Sequence, residues 1–190
     1  MAVAAVIYDF FGVLCVGSRG IIVSRTPEAS RERMQELFQQ ADYGFLTAAE
    51  FSTQAAELLS LSPDAFQALM QRQYARDDEM LASIRRVKQA CRTALLSNAN
   101  DTVINELFTL EERAELFDAV IVSSDVGMVK PQKELFSLAA TRLGVLPEEC
   151  VMIDDMASNI EGAQRADMDG IVFENRAQYQ RELLQRGVYA

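Results

Sequence analysis

The 190-residue chain contains no histidine. Acid–base, nucleophilic or metal chemistry must therefore be carried by carboxylates, lysines or hydroxyls, and Ser-His-Asp triads, Cys-His pairs and His-based zinc sites are excluded. Such groups stand at four places where an apolar run stops. Asp9 follows AVIY and precedes Phe10, Phe11 and Gly12; Ser97-Asn98 follows TALL; Lys130 closes SSDVGMVK; Asp154-Asp155 follows VMI. A carboxylate can serve as nucleophile, acid, base or metal ligand, and an ammonium as a point charge.

The elements that would position these residues can be read from the apolar pattern. The run over residues 3–8 is continuous, as in a parallel strand covered on both faces. Comparable runs occur at 93–97, 119–123, 151–153 and 170–173. Helical patterns lie between them, for example 134–144 with Leu135, Leu138 and Leu143, closed by Gly144. Strands alternating with helices predict an α/β fold, a doubly wound parallel sheet. In such sheets ligands bind beyond the carboxyl ends of the strands, where all four polar stations would converge.

Residues 16–89 break the alternation. They contain no convincing strand and read as amphipathic helices with apolar residues three or four apart. The faces are Met34, Leu37, Phe38 and Ala41; Phe51, Ala55, Leu58 and Leu59; Phe66, Leu69, Met70 and Tyr74; and Met80, Ile84 and Val87. Thr47 with Glu50 forms a capping box, and Ser62 before Pro63 is an N-cap with proline at N1. The expected organisation is an α/β core over 1–15 and 90–190 with a helical cap over 16–89.

Composition narrows the function. The net charge of −10 argues against nucleic acid as partner, which needs clustered Lys and Arg, yet leaves room for a small phosphorylated molecule in a locally positive pocket. No apolar stretch approaches a membrane span and no basic region precedes the N-terminal apolar run, so a cytoplasmic protein without membrane contact is expected. Cys15, Cys91 and Cys150 form no CxxC pair and read as buried thiols in a reducing compartment. The sequence does not speak to oligomeric state.

Each polar station also has a plain structural reading. Asp9 could open a turn, Ser97-Asn98 could cap a helix beginning near Asp101, Lys130 could be solvated, and Asp154-Asp155 could cap the helix through Ile160. The four together, in this order, resemble the motifs of the haloacid dehalogenase-like hydrolase superfamily. They resemble most its phosphatase branch with a small helical cap after strand one. The stretches SSDVGMVKPQKELF and VMIDDMASNIEGAQRADMDGIVF are similar to the glucose-1-phosphate phosphatase and epoxide-hydrolase N-terminal domain group.

That resemblance implies a Rossmann-like core and a Mg²⁺-dependent phosphatase. Asp9 would be the nucleophile that forms an aspartyl-phosphate, and Lys130 would bridge it to the phosphate. Ser97 and Asn98 would hold phosphate oxygens. Asp9 and Asp155 would ligate Mg²⁺ with the main-chain carbonyl of Phe11, Asp154 would reach the metal indirectly, and Asn159 would orient the loop. Phe11 departs from the pattern, because phosphatases of this superfamily carry an aspartate there as general acid and base, worth about 10²–10⁴ in rate. Three outcomes are compatible with it: restriction to good leaving groups such as acyl phosphates or sugar-1-phosphates, an acid borrowed from the cap, or a weak phosphate- and metal-binding pseudo-enzyme. Metal-independent 2-haloacid dehalogenases carry an aromatic at this position and stand as the alternative, although they lack the Asp-Asp pair.

Overall fold

The computed structural model describes residues 2–16, 19–71, 75–99 and 101–189. Strand β1 (Ala5–Tyr8) is followed by a two-residue strand, β2 (Cys15–Val16), and by helices α1 (Arg19–Arg25), α2 (Arg31–Asp42), α3 (Ala48–Leu58) and α4 (Pro63–Gln71). The chain returns through β3 (Ala75–Arg76) and α5 (Asp78–Val87). The remainder alternates: β4 (Arg92–Ser97), α6 (Asp101–Leu107), α7 (Leu110–Leu116), β5 (Ala119–Val122), α8 (Ser123–Val126), α9 (Lys133–Leu143), β6 (Cys150–Asp154), α10 (Ala157–Arg165), β7 (Asp169–Val172) and α11 (Arg176–Gln185).

Five strands form one parallel sheet in the order β5-β4-β1-β6-β7, with β1 in the centre. Alternation along β1 sends Ala5 and Ile7 to one face and Val6 and Tyr8 to the other. The first face is covered by α9 and α10 through Leu135, Phe136, Ala139, Leu143 and Ile160. The second is covered by α5 and α11 through Met80, Ile84, Val87, Tyr179 and Leu183. Both faces are covered by apolar side chains, which is why the strands read as unbroken apolar runs. Two tyrosines in the second layer share their hydroxyls, Tyr8 Oη with Tyr179 Oη at 3.0 Å, and Ser83 donates to Tyr179 Oη at 3.3 Å, so these three buried hydroxyls are satisfied.

Helices α1–α4 have a separate apolar cluster built on Ile22, Met34, Leu37, Phe38, Phe51 and Phe66. The expected faces Met34–Ala41 and Phe51–Ala55 are buried there, while Leu58, Leu59, Leu69 and Met70 are partly buried against it; Tyr74 lies outside the described residues. Both start signals operate. Thr47 accepts from Glu50 N while the Glu50 carboxylate accepts from Thr47 N, and Ser62 accepts from Ala65 N at 3.2 Å.

Two features differ from the reading of the sequence. Met80, Ile84 and Val87 of α5 pack on the sheet rather than with the inserted helices, because periodicity tells that a helix has a buried face but not which layer receives it. The insertion also contains a strand: β2 and β3 pair antiparallel where the chain leaves and re-enters the core, with Asp77 N donating to Leu14 O at 2.9 Å. Two-residue strands are too short to leave a period.

Candidate active site

Asp9 lies one residue past β1, its N–H still bonded to Ile153 O of β6 at 2.8 Å. At the carboxyl end of the central strand, Asp9 therefore stands beside the ends of both neighbours. Its Oδ1 accepts from Phe10 N and from Lys130 Nζ, each at 2.6 Å, which fixes the rotation of the carboxylate. Lys130 Nζ also contacts Asp154 Oδ2 at 2.7 Å. Asp154 Oδ1 accepts from Met156 N and Asn159 Nδ2, both at 2.9 Å. One ammonium thus joins two carboxylates, and all three side chains are buried.

Burial sets the electrostatics. It pushes the Asp9 carboxyl up to about 7, outweighing the stabilising Lys130 charge, and the Asp154 charge adds to the rise. Asp155 is raised by burial and by Asp154. At Lys130 burial works against the charge, but the two carboxylates outweigh it and its pKa rises. The plain reading of Lys130 as solvated does not hold, because Lys130 is buried. Asp154 does receive the Met156 N–H at the start of α10, but its other oxygen is held by Lys130, so it does more than close a helix end.

Asn98 clamps the lysine from behind. Its Oδ1 accepts from Lys130 N at 2.8 Å and its Nδ2 donates to Lys130 O at 3.0 Å. Ser97, fully buried at the end of β4, has an Oγ with no hydrogen-bond partner among the described residues. A buried hydroxyl without a partner costs about 1–3 kcal/mol and asks for a ligand.

Carboxylate oxygens of Asp9, Asp154 and Asp155 lie within 4.8 Å of one another. An all-oxygen set of this charge fits a hard divalent cation, which would offset the mutual repulsion that burial intensifies. Gly12 makes the approach of Asp155 possible. Its φ is +87°, and an added Cβ would collide with the Asp155 carboxylate. Gly12→Ala is expected to cost roughly 1–3 kcal/mol and to displace Asp155. Urea denaturation, together with Mg²⁺ titration followed by calorimetry, checks both effects.

These groups open into a cleft of about 350 Å³ whose far wall belongs to α1–α4. Phe11, Phe38, Phe51 and Met70 line it, as do Arg19 and Asp42, bonded to each other at 2.8 Å. Of the site residues expected from the sequence, Asp9, Phe11, Asn98, Lys130, Asp155 and Asn159 line the cleft. Asp154 joins them through Lys130, and Ser97 is buried at the end of β4 without lining it. Arg19 and Asp42 were not foreseen. Helical periodicity marks what a helix buries, and no signal marks which residues look across a gap.

The haloacid dehalogenase-like hydrolase profile matches residues 3–167. The chain is 27% identical over 156 residues to the D-ribitol-5-phosphate phosphatase of Bacteroides thetaiotaomicron, covering 77% of this chain and 76% of that protein. It is 36% identical over 72 residues to the mouse bifunctional epoxide hydrolase 2, a stretch that is 38% of this chain but 13% of the mouse protein. Among solved structures it superposes with a TM-score of 0.75 on a haloacid dehalogenase family enzyme from Bacteroides thetaiotaomicron in complex with magnesium and inorganic phosphate. That match is 22% identical and covers 91% of this chain and 95% of the other.

Proposed function

The chain belongs to the haloacid dehalogenase-like hydrolase family, and we propose that it is a Mg²⁺-dependent phosphatase acting on a small phosphorylated compound through an aspartyl-phosphate at Asp9. The observation that carries this reading is the buried Asp9–Lys130–Asp154 cluster, with Asp155 and the partnerless Ser97 hydroxyl grouped at the same strand ends.

Asp9 attacks phosphorus, held in orientation by Lys130 and by Phe10 N–H. Lys130 neutralises phosphate charge as a point charge. Ser97 Oγ donates to a phosphate oxygen. The Asn98 amide holds Lys130 with one N–H and keeps its second for the phosphate. Asp9, Asp155 and the main-chain carbonyl of Phe11 would hold Mg²⁺, with Asp154 and Asn159 fixing the surroundings. Bound there, Mg²⁺ supplies positive charge that makes the phosphoryl group attackable by an anion. Likenesses to phosphatases, and to an enzyme solved with magnesium and phosphate, support this assignment.

Helices α1–α4 act as the cap that encloses the substrate. The boundaries first read as 1–15 and 90–190 for the core and 16–89 for the cap shift in this proposal, because α5 packs on the sheet; the core resumes at Asp78.

Phosphate release from acetyl phosphate, p-nitrophenyl phosphate and sugar-1-phosphates, with Mg²⁺ and then with EDTA, tests the reading. Release that stops on chelation is expected. Chloride release from 2-chloropropionate that survives EDTA would replace it with the dehalogenase reading. A rise in melting temperature with Mg²⁺ and a phosphate analogue, without turnover, would replace it with the pseudo-enzyme reading.

Ser97→Ala separates binding from folding. Removing a buried hydroxyl that lacks a partner leaves the ligand-free protein equally stable or up to about 1–3 kcal/mol more stable. The same change should weaken phosphate binding and raise KM about tenfold. Thermal melts with and without phosphate, beside steady-state kinetics, check the two signs.

A further inference from the structure

Phe11 leaves the position behind the nucleophile without a proton donor, and no histidine exists to substitute. Among the described residues lining the cleft, the acids are Asp9, Asp155 and Asp42. The first two belong to the phosphate end. Asp42 comes from the opposite wall, as the last residue of α2.

Its setting suits a proton carrier. The side chain is 15% exposed, and Arg19 Nη2 holds Oδ2 at 2.8 Å. Oδ1 makes no hydrogen bond among the described residues. Arg19 is itself fixed, its guanidinium 4.5 Å from the centre of the Phe38 ring. The carboxyl end of a helix disfavours a carboxylate there. Burial holds the Asp42 carboxyl above the ordinary range, against the lowering effects of Arg19 and Lys130.

We propose that Asp42 is the general acid for the departing alcohol, supplied by the cap in place of the acid that Phe11 lacks. This rests on the phosphatase reading above. As the bond between phosphorus and the leaving oxygen breaks, its electron pair stays on that oxygen, which takes the proton from Asp42 Oδ1. Asp42 becomes a carboxylate and Arg19 balances its charge. When water displaces the phosphoryl group from Asp9, the proton that water loses returns to Asp42, and inorganic phosphate leaves. The proton count closes over one turnover.

The test is the dependence of kcat/KM on leaving-group pKa, measured from acetyl phosphate through aryl to alkyl phosphates. kcat/KM ends at departure of the alcohol, so it reports the donation and not the later water step. The parent enzyme is expected to show a shallow dependence. Asp42→Asn should lower kcat/KM about 10²-fold for alkyl phosphates and at least tenfold less for acetyl phosphate, making the dependence steep. An equal loss across the series would assign Asp42 a binding or structural role and overturn the proposal, as would no loss at all. The parent series alone decides if the variant does not fold, since a steep dependence there means that nothing protonates the leaving group. Failure here leaves Mg²⁺-dependent release of phosphate from acetyl phosphate intact; absence of that release would instead remove the phosphatase reading itself.

Discussion

Asp9→Asn is expected to abolish turnover, with a loss of more than about 10⁴-fold in kcat for acetyl phosphate and p-nitrophenyl phosphate. An amide oxygen has neither the charge nor the basicity to accept a phosphoryl group, and no other described carboxylate occupies the end of β1. The loss should not come from unfolding. In the parent, burial pushes the Asp9 carboxyl up to about 7 despite Lys130, so a charge at this position is held at a cost that the neutral amide avoids. Lys130 keeps its contact with Asp154 at 2.7 Å. The variant should melt at or above the parent temperature while releasing no phosphate. Retained release would remove Asp9 as nucleophile.

Lys130→Met should do the opposite to stability. The ammonium contacts Asp9 at 2.6 Å and Asp154 at 2.7 Å, and its side chain is only 2% exposed. Methionine fills much of the volume but leaves two buried carboxylates facing each other without a counter-charge. Breaking a buried pair from one side typically costs about 3–5 kcal/mol. Urea denaturation without Mg²⁺ reads that cost, and added Mg²⁺ should recover part of it by taking over the charge between the acids. Activity does not recover with it, because the positive charge on the phosphate is also gone; the expected loss is about 10²–10³-fold in kcat. A variant as stable as the parent would mean that the cluster does not carry the charge balance assigned to it.

How much of this the sequence disclosed follows from what each feature leaves in it. Asp9, Ser97 and Asp154 were legible because parallel strands covered on both faces are apolar throughout, so a polar residue marks their end, and all such ends in one sheet point the same way. Lys130 lies beyond α8, past the end of β5, and was legible through the motif order rather than as a strand end. The caps at Thr47 and Ser62 were legible because they are local. The insertion after β1 was legible as a loss of alternation, but the placement of α5 was not, since Met80, Ile84 and Val87 would look the same against either layer. The pair of hydrogen bonds between the Asn98 amide and the Lys130 main chain joins residues 32 positions apart, and no local pattern encodes it. The same holds for Arg19 and Asp42, which meet across 23 positions on helices whose periodicity concerns their other faces. Chemistry borne by strand ends was visible; chemistry borne by one wall facing another was not.

The claim at the centre is that Asp9 takes the phosphoryl group within reach of Lys130 and Ser97. A crystal soaked with Mg²⁺ and beryllium fluoride, which forms a stable mimic of an acyl phosphate on a reactive carboxylate, tests it most directly. The expected result is beryllium bonded to a carboxylate oxygen of Asp9, with fluorides facing Lys130 Nζ and Ser97 Oγ. An adduct on Asp154 or Asp155, or an unmodified Asp9 in a cleft that holds both Mg²⁺ and fluoride, would contradict it.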